Sequence, residues 1–469
     1  MIIREIIIKE IRENISTFKY IFLSGSIVIL FILNALVSIS DYQDRMDNYN
    51  RMNLKVKQER KQKSKQFSGL VFHRFQVIKK PSSEAFISHA KAGKLPNGVQ
   101  MNFFEISNPQ YFKPLDIYSK SFISLDWTNI LFYVLSFLCL SLTYNSFSGE
   151  RLNRTLQLIM SNQVPRISII IGKYAGLLIL ITLPVIAGML ITLLIYQLSP
   201  DFQLDSIIGK LTGLFFLGTL LFISLNLLIG FLISCLTRQP VVSMSFCLVA
   251  WLLFAVVIPG TGWLWSKQTV NIQSVNTIQD KIERKSNELL NSDKYNLRWK
   301  PQWIGNPPTK TLLKRINYFQ KTQEIKNKMW RTHIQKQFHQ TDLAIRFAKI
   351  SPYAIFRFFG EKLSDNGYSG YKHFYHQAQK YHDHYKQFLI STDKADDESY
   401  HQIWNNQHNS KHWMSSKPVD YQDIPKFSYE RPDISQTFNE ISGNMISMLI
   451  WCIVLFGATF MAFIRYDVR

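Results

Sequence analysis

The chain has 469 residues, a formal charge of +21 and an apolar content of 46%, and its mean hydropathy of −0.04 is on average that of a soluble protein. The distribution matters more than the average: apolar residues gather into six long runs and polar residues into two large blocks, which excludes a soluble globule and indicates a membrane protein with polar insertions. Residues 41–126 hold 15 basic and 8 acidic residues and residues 266–443 hold 27 and 18, so +16 of the charge is spread over mixed-sign segments without a nucleic-acid motif. That excludes DNA or RNA as the partner and suits anionic headgroups or envelope polymers.

Residues 1–19 place Ile2, Ile3, Ile6, Ile7 and Ile11 on one helical face and Arg4, Glu5, Lys9, Glu10, Arg12 and Glu13 largely on the other, the pattern of a helix lying along a membrane interface. The apolar run 20–40 has the length of a full span, so the segment reads as an uncleaved anchor rather than a signal peptide. In the first polar block, 41–126, Tyr42, Met46, Tyr49, Asn53 and Val56 carry helical spacing outward. Val71-Phe72 and Phe75-Gln76-Val77-Ile78 then read as short strands, followed by the turn residues Lys80-Pro81-Ser82-Ser83. The second span is 127–144.

Residues 145–173 form a loop at a membrane face between two spans. Leu152, Leu156 and Ile159 predict a short amphipathic helix with Arg151 and Arg154 towards water, stopped by Ser161-Asn162 and Pro165. Glu150, then Thr155-Leu156-Gln157-Leu158, then Ser161-Asn162-Gln163-Val164-Pro165-Arg166, then Gly172-Lys173 closely resembles the cytosolic coupling segment of the ABC-2-type permease family. Arg154 stands where that family usually has a small residue. The N-terminal helix resembles the family's elbow helix, and Lys80-Pro81-Ser82-Ser83 through Gly93-Lys94-Leu95-Pro96-Asn97 resembles the insert of a bacterial subfamily with large extracytoplasmic inserts. The resemblance implies a permease dimer, of two copies or of this chain with a sister permease, carrying two separate ATP-binding subunits. The coupling residues would be Glu150, Arg151, Arg154, Thr155, Leu156, Leu158 and Arg166.

The third span is 174–197, the fourth 211–237 and the fifth 241–265. Pro259-Gly260-Thr261-Gly262 falls near the outer end of the fifth, where a break would free backbone carbonyls. Pro259, Gly260 and Gly262 are therefore a candidate outer gate, with a simple helix end as the alternative. The second block, 266–440, contains amphipathic helices marked by Ile278 to Leu290, Leu312 to Ile350 and Tyr371 to Phe388, expected as a small bundle. The sixth span is 441–464 and the tail 465–469. The fold class is thus an all-α polytopic membrane protein with six spans, an elbow helix, a mainly helical outer domain and some short strands in the first insert. Lys and Arg of the short loops and tail fall on one side, which places both termini in the cytoplasm and both blocks outside; the resemblance to a bacterial subfamily implies that the membrane is the bacterial inner membrane.

All four cysteines, Cys139, Cys235, Cys247 and Cys452, fall in apolar runs and read as packing residues. No Gly-x-x-x-x-Gly-Lys-Ser/Thr loop is present, so no cofactor is expected on this chain, and ATP-Mg belongs to a partner subunit. No catalytic residue is expected. Seven of the eleven histidines lie between His373 and His412. His408 and His412, four apart, and His373 and His376, three apart, could each present two imidazoles on one helical face to a soft divalent metal, the first pair being the candidates retained, without the cysteine or HExxH-type base that would strengthen them. The expected function is the membrane subunit of an ABC-type exporter. The alternatives are a mechanotransmission subunit that moves no substrate and a membrane-anchored envelope sensor or scaffold.

Overall fold

The computed structural model describes residues 2–89, 97–106, 125–161, 164–200, 202, 205–292, 294–295, 310–404 and 412–465. Gly93 to Pro96, Asn162-Gln163, His408, Asp467 and Arg469 lie outside them. Among the described residues, six helices are long and apolar enough to cross a membrane, as the apolar runs require.

Helix α1 (Ile2–Ile15) lies against the start of α8 (Arg166–Leu198), where Gly172 and Gly176 leave room for Ile6, Ile7 and Glu10. Small residues four apart let two helix backbones approach closely. Glu10, expected on the wet face of α1, is instead buried in this contact. Thr17 then caps α2 (Phe18–Lys63) by accepting from Tyr20 N. At 46 residues, α2 is about 69 Å long, roughly twice a hydrocarbon core. Its far end is fixed by Arg60, which lies over the Phe75 ring and donates to Tyr381 Oη at 2.8 Å and Pro425 O at 3.2 Å.

Around that end the two inserts form one unit. It comprises α3 (Phe67–Phe72), the antiparallel pair β1 (Phe75–Ile78) and β2 (Gly98–Met101) with Phe75 opposite Met101, and, from the second insert, α12 (Val275–Asn291), α13 (Lys310–Ala348) and α15 (Gly367–Lys394). Phe75, Val77, Val99 and Met101 alternate inward onto Phe338, Phe374 and Tyr385, as period-two strands with one buried face must.

Span two is α4 (Trp127–Ile130), a π-helical turn Leu131–Leu135 and α5 (Ser136–Thr143); it leads to α6 (Ser148–Leu152) and α7 (Thr155–Ser161). Span three is α8, span four α9 (Ser206–Leu236) and span six α16 (Ile434–Ile464). Span five is α10 (Pro240–Leu252), a π-helical turn Leu253–Val257 and α11 (Ile258–Thr269).

The expected break at Pro259 is not found: the helix runs through it. The π-turn leaves a carbonyl without its usual donor, and Ser351 Oγ donates to Phe254 O at 2.5 Å. The same device serves Pro184 inside α8. There the carbonyl of Leu180, four residues back, accepts from Tyr20 Oη at 3.0 Å. A proline within a spanning helix is tolerated where a neighbour takes up the freed group.

Ser351 belongs to a feature that hydropathy did not reveal. Near its end α13 packs along α11, with Gly262 against Ala344 O and Phe347. The chain turns at Lys349–Ser351, and α14 (Pro352–Leu363) packs inside the bundle. Tyr353 Oη donates to Asn226 Oδ1, two thirds of the way along α9, Phe356 stacks on Phe222 at 4.1 Å between centroids, and Phe359 fills the space left by Gly218. Gly360 lets α14 close on Thr128 of span two. Tyr353, Ile355, Phe356, Phe359 and Leu363 thus join the core of the spans rather than that of the insert unit. The insert re-enters the bundle.

Candidate functional site

The segment after span two hangs beneath spans two and four on the face that carries Ile2 and Arg465. Its first turn is fixed by one hydroxyl: Ser234 Oγ accepts from the backbone N–H of Phe147 and of Ser148, both at 3.0 Å, and donates to Tyr144 O at 2.9 Å. Helix N-termini carry orphan N–H donors, and a side-chain oxygen from another span satisfies two of them here. Arg151 reaches Thr237 O at 3.4 Å, and Arg166 donates to Ile464 O at 2.5 Å and Phe463 O at 3.4 Å. The Arg166 guanidinium so occupies the carbonyl end of span six, where the helix dipole favours a cation.

The single amphipathic helix predicted over this segment is two helices. Arg154, between them, has φ 60°, a left-handed conformation uncommon for a residue with a side chain. The redirection changes which leucines face in. Leu156 is 2% exposed, whereas Leu152, expected beside it, is 62% exposed and Leu158 68%. Arg154 and Thr155 are exposed as well, and Thr155 Oγ1 ties the two helices together by donating to Glu150 O at 3.2 Å.

Glu150 does not face out with them. Its Oε1 accepts from Lys173 Nζ at 2.9 Å, and Lys173 also meets Glu10 Oε1. The Lys173, Glu10 and Glu150 side chains are 4%, 5% and 15% exposed. Lys9 Nζ lies 3.6 Å from Glu150 Oε1 on the open side. The N-terminal helix, the segment after span two and the third span therefore meet at one buried charge, and losing one partner of a buried pair costs about 3–5 kcal/mol. Sequence reasoning missed Glu10 and the inward role of Lys173. A lysine at the edge of an apolar run reads as a snorkelling cation; the second glycine at 176, one turn on, was the signal that another helix would cover it.

The remaining candidates fall elsewhere. Pro259 is buried, Gly262 packs on α13 and Gly260 faces open space. His408 lies outside the described residues. His412, expected to share a helical face with it, sits in a turn at φ 72°. Among the described residues no group of three or more His, Cys, Asp or Glu is placed to hold a metal ion. The four cysteines are buried.

Six spanning helices, an amphipathic helix leading into the first, and a short two-helix ledge clamped beneath spans two and four define a helical polytopic membrane protein. Its family is shown by sequence: the profile described as ABC-2 family transporter protein matches residues 4–468, and the chain belongs to that family. Among curated proteins, no sequence matches the chain. The chain is a permease of an ABC transporter and a multi-pass membrane protein, and its family implies an ATP-binding partner. Components of this kind are generally not themselves catalytic.

Proposed function

We propose that the chain is the membrane-spanning subunit of an ABC-type exporter, with two copies of a separate ATP-binding subunit docked on the ledge and ATP-Mg bound there. A second copy or a sister permease completes the complex. Both termini lie in the cytoplasm and the insert unit outside the bacterial inner membrane, as the short-loop charges favour. The observation that carries the reading is the pair Leu152 and Leu158, both more than 60% exposed beside Arg154 and Thr155, on a ledge outside the spans whose other side is locked by Ser234 and Lys173. Burying two leucines in a docked partner contributes on the order of 3–6 kcal/mol, a hundredfold or more in affinity.

The test is co-purification of the ATP-binding subunit with wild type and with Leu152→Glu/Leu158→Glu. Partner yield and coupled ATPase activity should collapse while thermal stability holds, since neither side chain is packed. Undiminished partner binding in the double variant sinks the docking assignment.

In this reading the outer closure is α14 rather than Pro259, because α14 fills the space between spans two, four and six. The mechanotransmission alternative has one observation in its favour: α2 is a single unbroken helix from the elbow to the Arg60 clamp in the insert unit.

A further inference from the structure

Between α12 and α13 in the insert unit lies a groove of 660 Å³, a volume typical of small-molecule sites. Its rim is set by Lys281, Arg284 and Lys285 from α12 and Lys328 and Lys336 from α13. Lys281 lies three and four residues before Arg284 and Lys285, which flank it on the next turn, and Lys328 lies eight before Lys336, so each helix turns its cations towards the groove. Glu288 is the one acid that lines the groove. Among the described residues none of the five cations forms an ion pair, although the same unit pairs Lys326 with Glu105, Arg331 with Asp383, Lys372 with Asp342 and Arg431 with Glu84.

The floor is of a different kind. Ile278 is buried and Ile325 and Met329 are partly buried beneath the cations. His333 is buried there too; burial, and then the nearby Lys336, lower its pKa, so its ring is neutral near pH 7 and adds no sixth charge. Five unpaired cations above an apolar floor repel one another, and an anion would relieve that repulsion.

Position narrows the choice of anion. Gln340 Nε2 donates to Val270 O at 2.9 Å, just past the end of span five at Thr269. The groove residues of α13 lie 4 to 15 positions from Gln340, about 6–22 Å along the helix. Gln273, four residues after Thr269, is at its lip. The groove therefore opens next to the membrane boundary.

We propose that this groove binds an anionic amphiphile, a lipid whose phosphate-bearing head meets the five cations while the first part of its acyl chains lies on Ile278, Ile325 and Met329. The assignment concerns the insert unit and stands whether or not Leu152 and Leu158 dock an ATPase.

The test uses the full chain in a neutral detergent with phosphatidylglycerol carrying a photoreactive diazirine in its acyl chain, and maps the labelled residues by mass spectrometry. Label is expected within 278–285 and 325–336. Unlabelled phosphatidylglycerol should compete it away, and phosphatidylcholine and inorganic phosphate should not. In Lys281→Gln/Arg284→Gln/Lys285→Gln the apparent affinity at the groove should fall on the order of a hundredfold at low salt, at about 1 kcal/mol per cation. Label on the spans should stay unchanged, which shows that the variant is folded. Label confined to the spans, groove label unaffected by the substitutions, or equal competition by phosphatidylcholine overturns the proposal. Stronger displacement by an oligoglutamate than by phosphatidylglycerol also overturns it and makes the groove an acidic-peptide site.

Discussion

Replacing Lys173 with methionine keeps the length of the side chain and removes the charge that Glu10 and Glu150 share. Glu150 retains Lys9 at 3.6 Å and some water, so the deficit falls on Glu10, whose side chain is 5% exposed. An unpaired buried carboxylate costs about 3–5 kcal/mol. Replacing Glu10 as well removes the uncompensated charge and should return most of that loss. The assay is the fraction of monodisperse protein left after heating, measured by size exclusion at pH 7 for wild type, Lys173→Met and Glu10→Gln/Lys173→Met. The single variant should be the least stable of the three. Equal stability of wild type and Lys173→Met at pH 7, or a double variant no better than the single, would refute the buried-charge account.

Two further outcomes are expected. Gly218→Leu drives a side chain into the Phe359 ring, at an overpacking cost of about 1–3 kcal/mol; if α14 is the outer closure, proteoliposomes of this variant should leak a small anionic dye, and tight vesicles with normal coupling would count against that role. Lys349, in the turn between α13 and α14, is pushed down to about 8 from 10.5 by burial and then by Lys362. The folded chain therefore binds fewer protons than the unfolded one between those values, stability should rise with pH across about 8 to 10.5, and an identical slope in Lys349→Met would remove Lys349 as its source.

The spans and the elbow were legible because hydrocarbon thickness and helical period leave a strong imprint on sequence. The strand at Phe75–Ile78 met its expectation, whereas Val71-Phe72, expected as a strand, ends helix α3, and the partner strand Gly98–Met101 was not foreseen. Arg154 was not legible as a bend, since left-handed positions are usually signalled by glycine or asparagine. Pro259 misled for the opposite reason: its local signal is a break, and what rescues the helix is a hydroxyl from Ser351, 92 residues on. Helix α14 has twelve residues with Arg357 and Glu361 among them. It is too short and too charged for a span, yet its length is that of a buried or re-entrant segment. On the ledge, which side chains face outward depended on the bend and on Glu10, 140 positions from Glu150, and neither is a local property.

The length of α2 has a mechanical consequence. A straight helix of about 69 Å pivoting near its base moves its tip by about 1.2 Å for every degree of tilt. Its base adjoins α1, which shares a buried charge with the ledge, and its tip is gripped by Phe75, Tyr381 and Pro425 through Arg60. A rotation of five degrees at the elbow, small for helices that shift against their neighbours, would displace the insert unit by about 6 Å. Motion imposed on the ledge would thus reach the far side of the membrane amplified by leverage, through one helix and without an opening through the bundle.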